Sequence, residues 1–258
     1  MKNDFKTIVI TGATKGIGKA TAELFATKGF NIAFCARNAN DVAEVAEALQ
    51  KINPAVTIIS KTCDVSNKNE AMEFCNYVLE HCKRIDILVN NAGTFIPGNI
   101  YDEEEGVLEK TIDTNLLSAY NISRQILKRM LPQKSGHIFN LCSVASIGAY
   151  EGGGSYSISK AGLLGFSKNL RHELKEKHIK VTALIVGATY TASWKGATDF
   201  PIERFIPAED IAKIIFNAYD TSASTVIEEI LIRPQLGVFN SVLIQTVFPS
   251  KSFLIYMV

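Results

Sequence analysis

The sequence has little excess charge of either sign, no closely spaced cysteines and no hydrophobic segment at its start. Its 27 Lys and Arg residues against 26 Asp and Glu give a formal net charge of +1. No strong field therefore attracts nucleic acid or an anionic membrane, and we predict neither as a partner. The five cysteines include no CxxC pair, which argues against a disulfide framework and for a reducing compartment.

The histidines and the first residues of the chain exclude two further classes. The four histidines have no metal-ligand spacing with one another or with cysteine, so we predict no metal site. The chain opens Met-Lys-Asn-Asp-Phe-Lys, without the apolar run of a secretory signal. These features predict a cytoplasmic protein.

Short runs rich in β-branched residues alternate with amphipathic helical stretches along the chain. We predict strands at 7–11, 31–35, 56–61, 85–90, 137–143, 180–186 and 228–232, and helices at 16–28, 41–51, 68–81, 111–130, 155–177 and 208–218. Strands that are continuous Val/Ile runs between helices are typical of a parallel sheet covered on both faces. The predicted fold class is α/β, a doubly wound parallel sheet (Rossmann fold) in a single domain.

The first predicted strand runs into a glycine-rich turn, Thr11-Gly12-Ala13-Thr14-Lys15-Gly16-Ile17-Gly18, and a helix follows. Gly12 permits a backbone angle that a side chain would forbid. Gly16 lets the main chain approach a pyrophosphate, and Gly18 allows the helix to pack closely on the strand. The helix N-terminus then faces the phosphates with free N–H groups and a partial positive charge.

The spacing of these glycines resembles the TGxxxGIG turn of the short-chain dehydrogenase/reductase family. Three further elements of that family follow in order: Asn90-Asn91-Ala92-Gly93 after the fourth strand, Ser143 at the end of the fifth, and Tyr156-Ser157-Ile158-Ser159-Lys160 as its YxxxK motif. The resemblance covers residues 7–234. It implies an NADP(H)-dependent oxidoreductase that moves a hydride between the nicotinamide and a small carbonyl or alcohol substrate.

Such a reaction needs a proton donor for the substrate oxygen. Tyrosine has an unperturbed pKa near 10, and a nearby ammonium stabilises its phenolate and lowers that pKa. Tyr156 and Lys160 are four residues apart, so they share a helix face. Ser143 ends a strand at the same edge of the sheet, and its hydroxyl can bind the substrate oxygen. Asn115 resembles the family asparagine that holds a water between the helix backbone and the lysine.

The segment after the second strand, Cys35-Ala36-Arg37-Asn38, has no carboxylate to bind a ribose 2′-hydroxyl. Arg37 and Lys15 instead suit a 2′-phosphate and favour NADP(H), although both are also compatible with solvated surface positions. By resemblance Asp64 binds the adenine; alternatively it is an acid that caps a turn. After the sixth strand Val186 replaces the family's proline. The predicted cofactor-binding residues are Gly12, Thr14, Lys15, Gly16, Ile17, Gly18, Arg37, Asp64, Val65, Asn91, Ala92, Gly93, Tyr156, Lys160, Gly187, Thr189 and Thr191.

Aromatic residues surround the expected substrate crevice. Besides Ser143, the predicted substrate residues are Phe95, Tyr150 and Trp194, the last of which lies in a short loop at about 188–207. An aromatic lining suits a small apolar or ring-bearing carbonyl compound. The same aromatics are equally compatible with packing the loop down.

The C-terminal residues depart from the family pattern. We divide the chain into a Rossmann-type domain at 1–236 and an atypical apolar tail at 237–258. Pro249, Lys251 and several polar residues interrupt the tail, so a packed or intersubunit segment is favoured over a membrane anchor, which needs about twenty mostly apolar residues. By resemblance the two long helices pair copies of the chain into a homodimer or homotetramer.

Three alternatives remain. A 3-oxoacyl-(acyl carrier protein) reductase predicts a basic patch for the acidic carrier, with Arg124, Lys128, Arg129, Lys168 and Arg171 as candidates. A non-catalytic NADP(H)-binding sensor would tolerate loss of Tyr156 or Lys160. A membrane-tethered enzyme depends on the tail alone.

Overall fold

The computed structural model describes residues 5–191 and 201–237. The strands are β1 (Thr7–Thr11), β2 (Asn31–Ala36), β3 (Ile58–Thr62), β4 (Ile87–Asn90), β5 (Gly136–Ser143), β6 (Ile179–Val186), β7 (Thr189–Tyr190), β8 (Ile206–Pro207) and β9 (Glu229–Ile232). The helices are α1 (Gly16–Thr27), α2 (Ala39–Ile52), α3 (Lys68–His81), α4 (Val107–Ile112), α5 (Ser118–Gln133), α6 (Gly154–Leu174) and α7 (Ala208–Tyr219).

Seven strands form one parallel sheet in the order β3-β2-β1-β4-β5-β6-β9, and β7 pairs with β8 in a separate two-stranded sheet. The chain builds outward from β1 in one direction as far as β3 and then returns to β4 on the other side of β1. The strand order therefore reverses between β1 and β4. Ligands of such sheets bind outside the carboxyl ends of the strands at this point. The predicted doubly wound α/β fold is confirmed.

Helices cover both faces of the sheet, which explains the continuous apolar runs in the strands. On β1, Ile8 and Ile10 pack in one core cluster with residues of α1, α2 and α7. Val9, between them, packs in the opposite cluster with residues of α3 and α5. Because successive strand residues point to opposite faces, a strand buried on both sides needs an apolar residue at almost every position.

The long helix predicted at 111–130 differs most from the structure. It begins earlier, as α4 at Val107, directly after Gly106 with its left-handed φ of +86°. A π-helical turn at Asp113–Leu117 then separates α4 from α5. A π turn adds a residue per hydrogen-bonded ring and is often found at functional sites. Hydrophobic periodicity does not reveal it, because the apolar stripe continues on either side.

Several predicted features lie wholly or partly outside the described residues. These are Trp194, much of the loop at about 188–207, and the tail, of which Gly237 is the only described residue. The division at 236 stays a prediction. Within the described ranges no helix is long and apolar enough to cross a membrane. The same ranges contain no group of three or more His, Cys, Asp or Glu side chains arranged to hold a metal ion.

Candidate active site and cofactor groove

The glycine turn between β1 and α1 has the conformation that its sequence predicts. Gly12 and Gly16 have left-handed φ angles of +68° and +54°, which residues with a Cβ rarely adopt. A Cβ on Gly18 would lie 2.4 Å from the Gly12 carbonyl oxygen and 2.5 Å from Asn91 Nδ2. The first turn of α1 therefore packs directly on the turn and directs its N-terminal N–H groups along the sheet edge.

The segment Asn90-Asn91-Ala92-Gly93 at the end of β4 is hydrogen-bonded to this turn. Asn91 Nδ2 donates to the carbonyl oxygens of Thr11 at 2.8 Å and Gly12 at 3.0 Å. The Thr11 hydroxyl oxygen in return accepts from the backbone N–H groups of Asn91 and Ala92, both at 3.0 Å. The amide of Asn91, a predicted cofactor-binding residue, is thus engaged in holding the glycine turn.

A cavity of about 540 Å³ opens beside this turn. It runs along the carboxyl ends of β1, β2 and β4 and is lined by Gly12, Thr14, Lys15, Ala36, Arg37, Asn38, Asp41, Cys63, Asp64, Val65, Asn91, Ala92, Gly93 and Thr114. Nine of these residues were predicted from the sequence. The cradle formed at Gly12, Gly16 and Gly18, with free helix N–H groups and basic side chains at its rim, fits a dinucleotide phosphate backbone.

One acidic residue in this cavity was missed by sequence reasoning. The carboxylate of Asp41 forms an ion pair with Lys15 at 2.9 Å. In the sequence Asp41 is the natural first-turn acid of a helix, and Asn38 indeed caps α2 by accepting from Asp41 N at 3.0 Å. A pair this exposed contributes little stability, so a phosphate can compete for Lys15.

Asp64 adopts the turn-capping arrangement that the sequence left open. Its Oδ1 accepts from the backbone N–H of Ser66 at 3.0 Å and from the Ser66 hydroxyl at 2.7 Å. Glu70 accepts from Asp64 N at 2.8 Å. These bonds fix Asp64 and Val65 at the cavity wall, so capping and cofactor contact are compatible at this position.

The segment after β6 continues the sheet edge beyond Ser143. Gly187 N donates to Ile232 O at 2.8 Å, and a Cβ at Gly187 would lie 3.1 Å from Pro234 Cδ. Pairing with β9 therefore fixes Gly187 although Val186 replaces the family's proline. Thr189 Oγ1 donates to Gly187 O at 3.1 Å, and both Thr189 and Thr191 are buried.

Three of the four predicted catalytic residues, Ser143, Tyr156 and Lys160, lie together where β5 ends and α6 begins. The phenol of Tyr156 is hydrogen-bonded to the side chain of Ser143, whose oxygen also accepts from Ala145 N at 3.1 Å. Lys160 Nζ donates to Leu141 O at 2.7 Å and lies 5.8 Å from the centroid of the Tyr156 ring. Tyr156 is 2% and Lys160 1% exposed, so both polar groups are shielded from bulk water.

Burial is the main cause of the pKa shifts of Tyr156 and Lys160. It raises the pKa of Tyr156 to about 12, against the opposing effect of the Ser143 hydrogen bond. It also lowers the pKa of Lys160 to about 8. The pKa of Tyr156 is thus raised, whereas we expected the ammonium to lower it. The reason is that the ring is buried, and burial raises the pKa by more than the Ser143 hydrogen bond lowers it. At neutral pH the phenol therefore keeps its proton.

The lowered pKa of Lys160 predicts a pH-dependent stability. The unfolded chain has the ordinary pKa of 10.5 and the folded chain about 8, so between these values the unfolded state binds more protons and stability rises with pH. Relative to Lys160→Met, the wild type should gain about 2–3 kcal/mol of unfolding free energy from pH 8 to pH 10.5. Urea denaturation of both proteins measures this difference. A difference independent of pH would contradict the lowered pKa.

Asn115 lies in the π turn, and its side chain is hydrogen-bonded to Thr94 and Ser159. Its Oδ1 accepts from Thr94 N at 2.7 Å, and its Nδ2 donates to Thr94 O and to Ser159 Oγ, both at 2.9 Å. Ser159 Oγ in turn donates to Tyr156 O at 2.7 Å. The side chain of Asn115 therefore braces the turn of α6 that carries the tyrosine. A water held between the helix backbone and Lys160 stays a prediction.

The predicted substrate residues Phe95 and Tyr150 flank Tyr156. The ring of Phe95 packs edge-on against that of Tyr156, with centroids 4.9 Å apart. Tyr150 packs against the same cluster, and burial raises the pKa of its phenol. The structure thus joins both residues to the tyrosine.

The sequence is similar to a known family and to several known proteins. A family model described as short chain dehydrogenase matches residues 6–201. An uncharacterized oxidoreductase of Staphylococcus saprophyticus is 31% identical over 89% of this chain and 97% of its own length. A sepiapterin reductase of Chlorobaculum tepidum is 31% identical over 89% and 96%. A 3-oxoacyl-[acyl-carrier-protein] reductase of Thermotoga maritima is also 31% identical, over 86% and 94%. The chain is thus equally similar to relatives that carry different enzyme names.

Solved structures share the fold. A metagenomic short-chain oxidoreductase in complex with NADP superposes with a TM-score of 0.78 at 26% identity, over 91% of this chain and 99% of that one. The L-sorbose reductase of Gluconobacter frateurii, complexed with NADPH and L-sorbose, gives a TM-score of 0.82 at 26% identity, over 89% and 95%. The chain therefore belongs to the short-chain dehydrogenase/reductase family and is an oxidoreductase of that family.

Proposed function

We propose that the protein is an NADP(H)-dependent reductase of a small carbonyl substrate. The observation that carries this proposal is the buried, protonated phenol of Tyr156, hydrogen-bonded to Ser143. Ser143 ends β5, the strand next to β4, and the residues that follow β4 line the cavity at the glycine turn. The complete set of Ser143, Tyr156 and Lys160 also favours an enzyme over a non-catalytic sensor.

The proposed chemistry divides between cofactor and protein. When bound, NADP(H) supplies or accepts the hydride. Ser143 and Tyr156 present two hydroxyl groups to one substrate oxygen, and Tyr156 donates the proton that the developing alkoxide needs. Lys160 then stabilises the phenolate left behind, because a positive charge near the ring favours the ionised form. In the oxidative direction the same groups take the proton back.

The preference for NADP(H) is proposed from Arg37 and Lys15. Both line the cavity at the end of β2, where a 2′-phosphate would lie, and the solved neighbours contain NADP or NADPH. Arg37→Gln should weaken NADPH binding about tenfold to a hundredfold, the usual worth of a charged hydrogen bond, and leave NADH binding unchanged. Fluorescence titration with both nucleotides measures this. Lys177→Gln, which removes an exposed charge remote from the cavity, is the control, and equal weakening for both nucleotides would argue against the assignment.

A 3-oxoacyl-(acyl carrier protein) reductase is the second candidate, favoured by the Thermotoga relative. Some of the basic residues proposed to bind an acidic carrier already form ion pairs within the chain. Lys168 pairs with Glu229 at 3.2 Å and Arg171 with Glu228 at 2.9 Å. Arg129 donates to Leu79 O. The first candidate is therefore preferred. NADPH oxidation with ketones, aldehydes, diketones and 3-oxoacyl thioesters, free and carrier-bound, separates the two.

We also propose that copies of the chain pair through the long helices. Leu117, Tyr120 and Ile158 are 41%, 42% and 44% exposed on this face, and apolar side chains grouped on a helix face are typical of an interface. Sedimentation equilibrium distinguishes a homodimer or homotetramer from a monomer.

A further inference from the structure

The segment between β4 and α4 lies against the start of α6. The ring of Phe95 contacts that of Tyr156 at a centroid distance of 4.9 Å. Gly98 forms an isolated parallel bridge with Gly153, and its N–H donates to Gly152 O at 3.1 Å. The helix that carries Tyr156 is thus joined to a segment more than fifty residues earlier in the chain.

The carboxylate of Glu103, in this segment, is hydrogen-bonded to Ser155 in the first turn of α6. Its Oε1 accepts from Ser155 N at 2.8 Å, and its other carboxylate oxygen accepts from the Ser155 hydroxyl. The first N–H groups of a helix have no partners within the helix and carry a partial positive charge. Gly153 gives α6 no side-chain cap, and the first turn of α6 contains no acidic residue. Glu103 therefore supplies from elsewhere the cap that α6 lacks.

Two glycines make room for this carboxylate. A Cβ on Gly154 would lie 2.0 Å from Glu103 Oε1, and a Cβ on Gly98 would lie 2.6 Å from Glu103 Cγ. Neither position tolerates a side chain without displacing Glu103. The enclosure fixes the carboxylate against Ser155, the residue directly before Tyr156.

We propose that Glu103 is a positioning residue for Tyr156. It holds the first turn of α6 so that the phenol meets Ser143 and the substrate oxygen, and it touches neither substrate nor cofactor. The inference deepens the proposed function and rests on it. Without the cap the first turn frays, whereas the cofactor groove, which Glu103 does not line, is unaffected.

The test compares Glu103→Ala with Glu103→Gln and with Glu105→Ala. Glu103→Ala should lower kcat about tenfold to a hundredfold, since misplacing a reacting group by about 1 Å costs on that order. The substrate KM and the NADPH dissociation constant should stay unchanged. Glu103→Gln keeps an acceptor for Ser155 N and should restore most of the loss. Glu105 is exposed in the same segment, so its replacement removes the same charge and should change nothing.

Two further readouts separate positioning from general destabilisation. With NADPH deuterated at C4, the isotope effect on kcat should rise in Glu103→Ala, because hydride and proton transfer become limiting. In a Tyr156→Phe background Glu103→Ala should have no further effect on kcat, since the group it positions is gone. Additive losses, or parallel losses of kcat and NADPH affinity, would overturn the proposal.

Hydrogen exchange tests whether Glu103 caps α6 without requiring a substrate. The amides of Ser155 and Tyr156 should exchange faster in Glu103→Ala than in Glu105→Ala, as the amides of an uncapped helix end do. If the wild type reduces no carbonyl compound, the proposed function is wrong. Amide exchange at Ser155 and Tyr156 still shows, in that case, whether Glu103 caps α6. If exchange is equal in the two variants, the positioning role is wrong whatever the activity.

Discussion

Tyr156→Phe is expected to lower kcat by about a hundredfold to ten-thousandfold, the usual contribution of a positioned general acid. The variant loses the phenol proton and the hydrogen bond to Ser143. It keeps the ring that packs against Phe95, so the fold and the cofactor groove should be preserved. Steady-state kinetics give kcat, and fluorescence titration gives the NADPH dissociation constant, which should not change.

Tyr120→Phe is the matched control for this result. It removes the same hydroxyl from a half-exposed tyrosine on α5 and should leave kcat unchanged. Turnover by Tyr156→Phe at the wild-type rate would show that another group, or water, protonates the substrate. A loss of NADPH binding equal to the loss of kcat would show that the hydroxyl acts on the cofactor site.

Gly18→Ala should abolish measurable NADPH binding and destabilise the protein by about 3 kcal/mol, the upper end of the usual cost of overpacking a rigid site. The new methyl would lie 2.4 Å from the Gly12 carbonyl oxygen and 2.5 Å from Asn91 Nδ2. Relief of these clashes must push α1 away from the turn or break the bonds from Asn91 to Thr11 and Gly12. Thermal denaturation and nucleotide titration measure the two losses.

Gly165→Ala provides the comparison within a helix. No atom lies within 4 Å of a Cβ built on Gly165, and alanine is favoured over glycine in a helix by about 1 kcal/mol. This variant should be as stable as the wild type or more so, with unchanged NADPH binding. Similar behaviour of the two variants would mean that the glycine turn is not the tightly packed cradle described above.

The fold was predictable because the inner strands of the sheet, β1, β2, β4, β5 and β6, are buried on both faces. Ile8, Val9 and Ile10 have no exposed surface, and such runs between amphipathic helices indicate a covered parallel sheet. Helix starts were less predictable. Asn38 caps α2, which begins at Ala39, two residues before the predicted start, and the π turn around Asn115 leaves no mark on the hydrophobic pattern.

The positions of the candidate site residues were predictable where residues close together in the sequence determine them. The glycine turn and the spacing of Tyr156 and Lys160 are local patterns. Contacts between distant segments were not: Asp41 reaching Lys15 and Glu103 capping α6 depend on how loops meet in the folded chain. The protonation of Tyr156 was also missed, because the cost of burial depends on packing that a motif does not specify.

The measurement that tests the central claim most directly is transfer of deuterium from NADPH deuterated at C4 to a carbonyl substrate, followed by mass spectrometry of the product. We predict that the wild type yields an alcohol with deuterium on the former carbonyl carbon, and that Tyr156→Phe, although it binds NADPH, yields almost none. An unlabelled alcohol, or no product from any carbonyl class while NADPH binds tightly, would contradict the assignment of this protein as a carbonyl reductase.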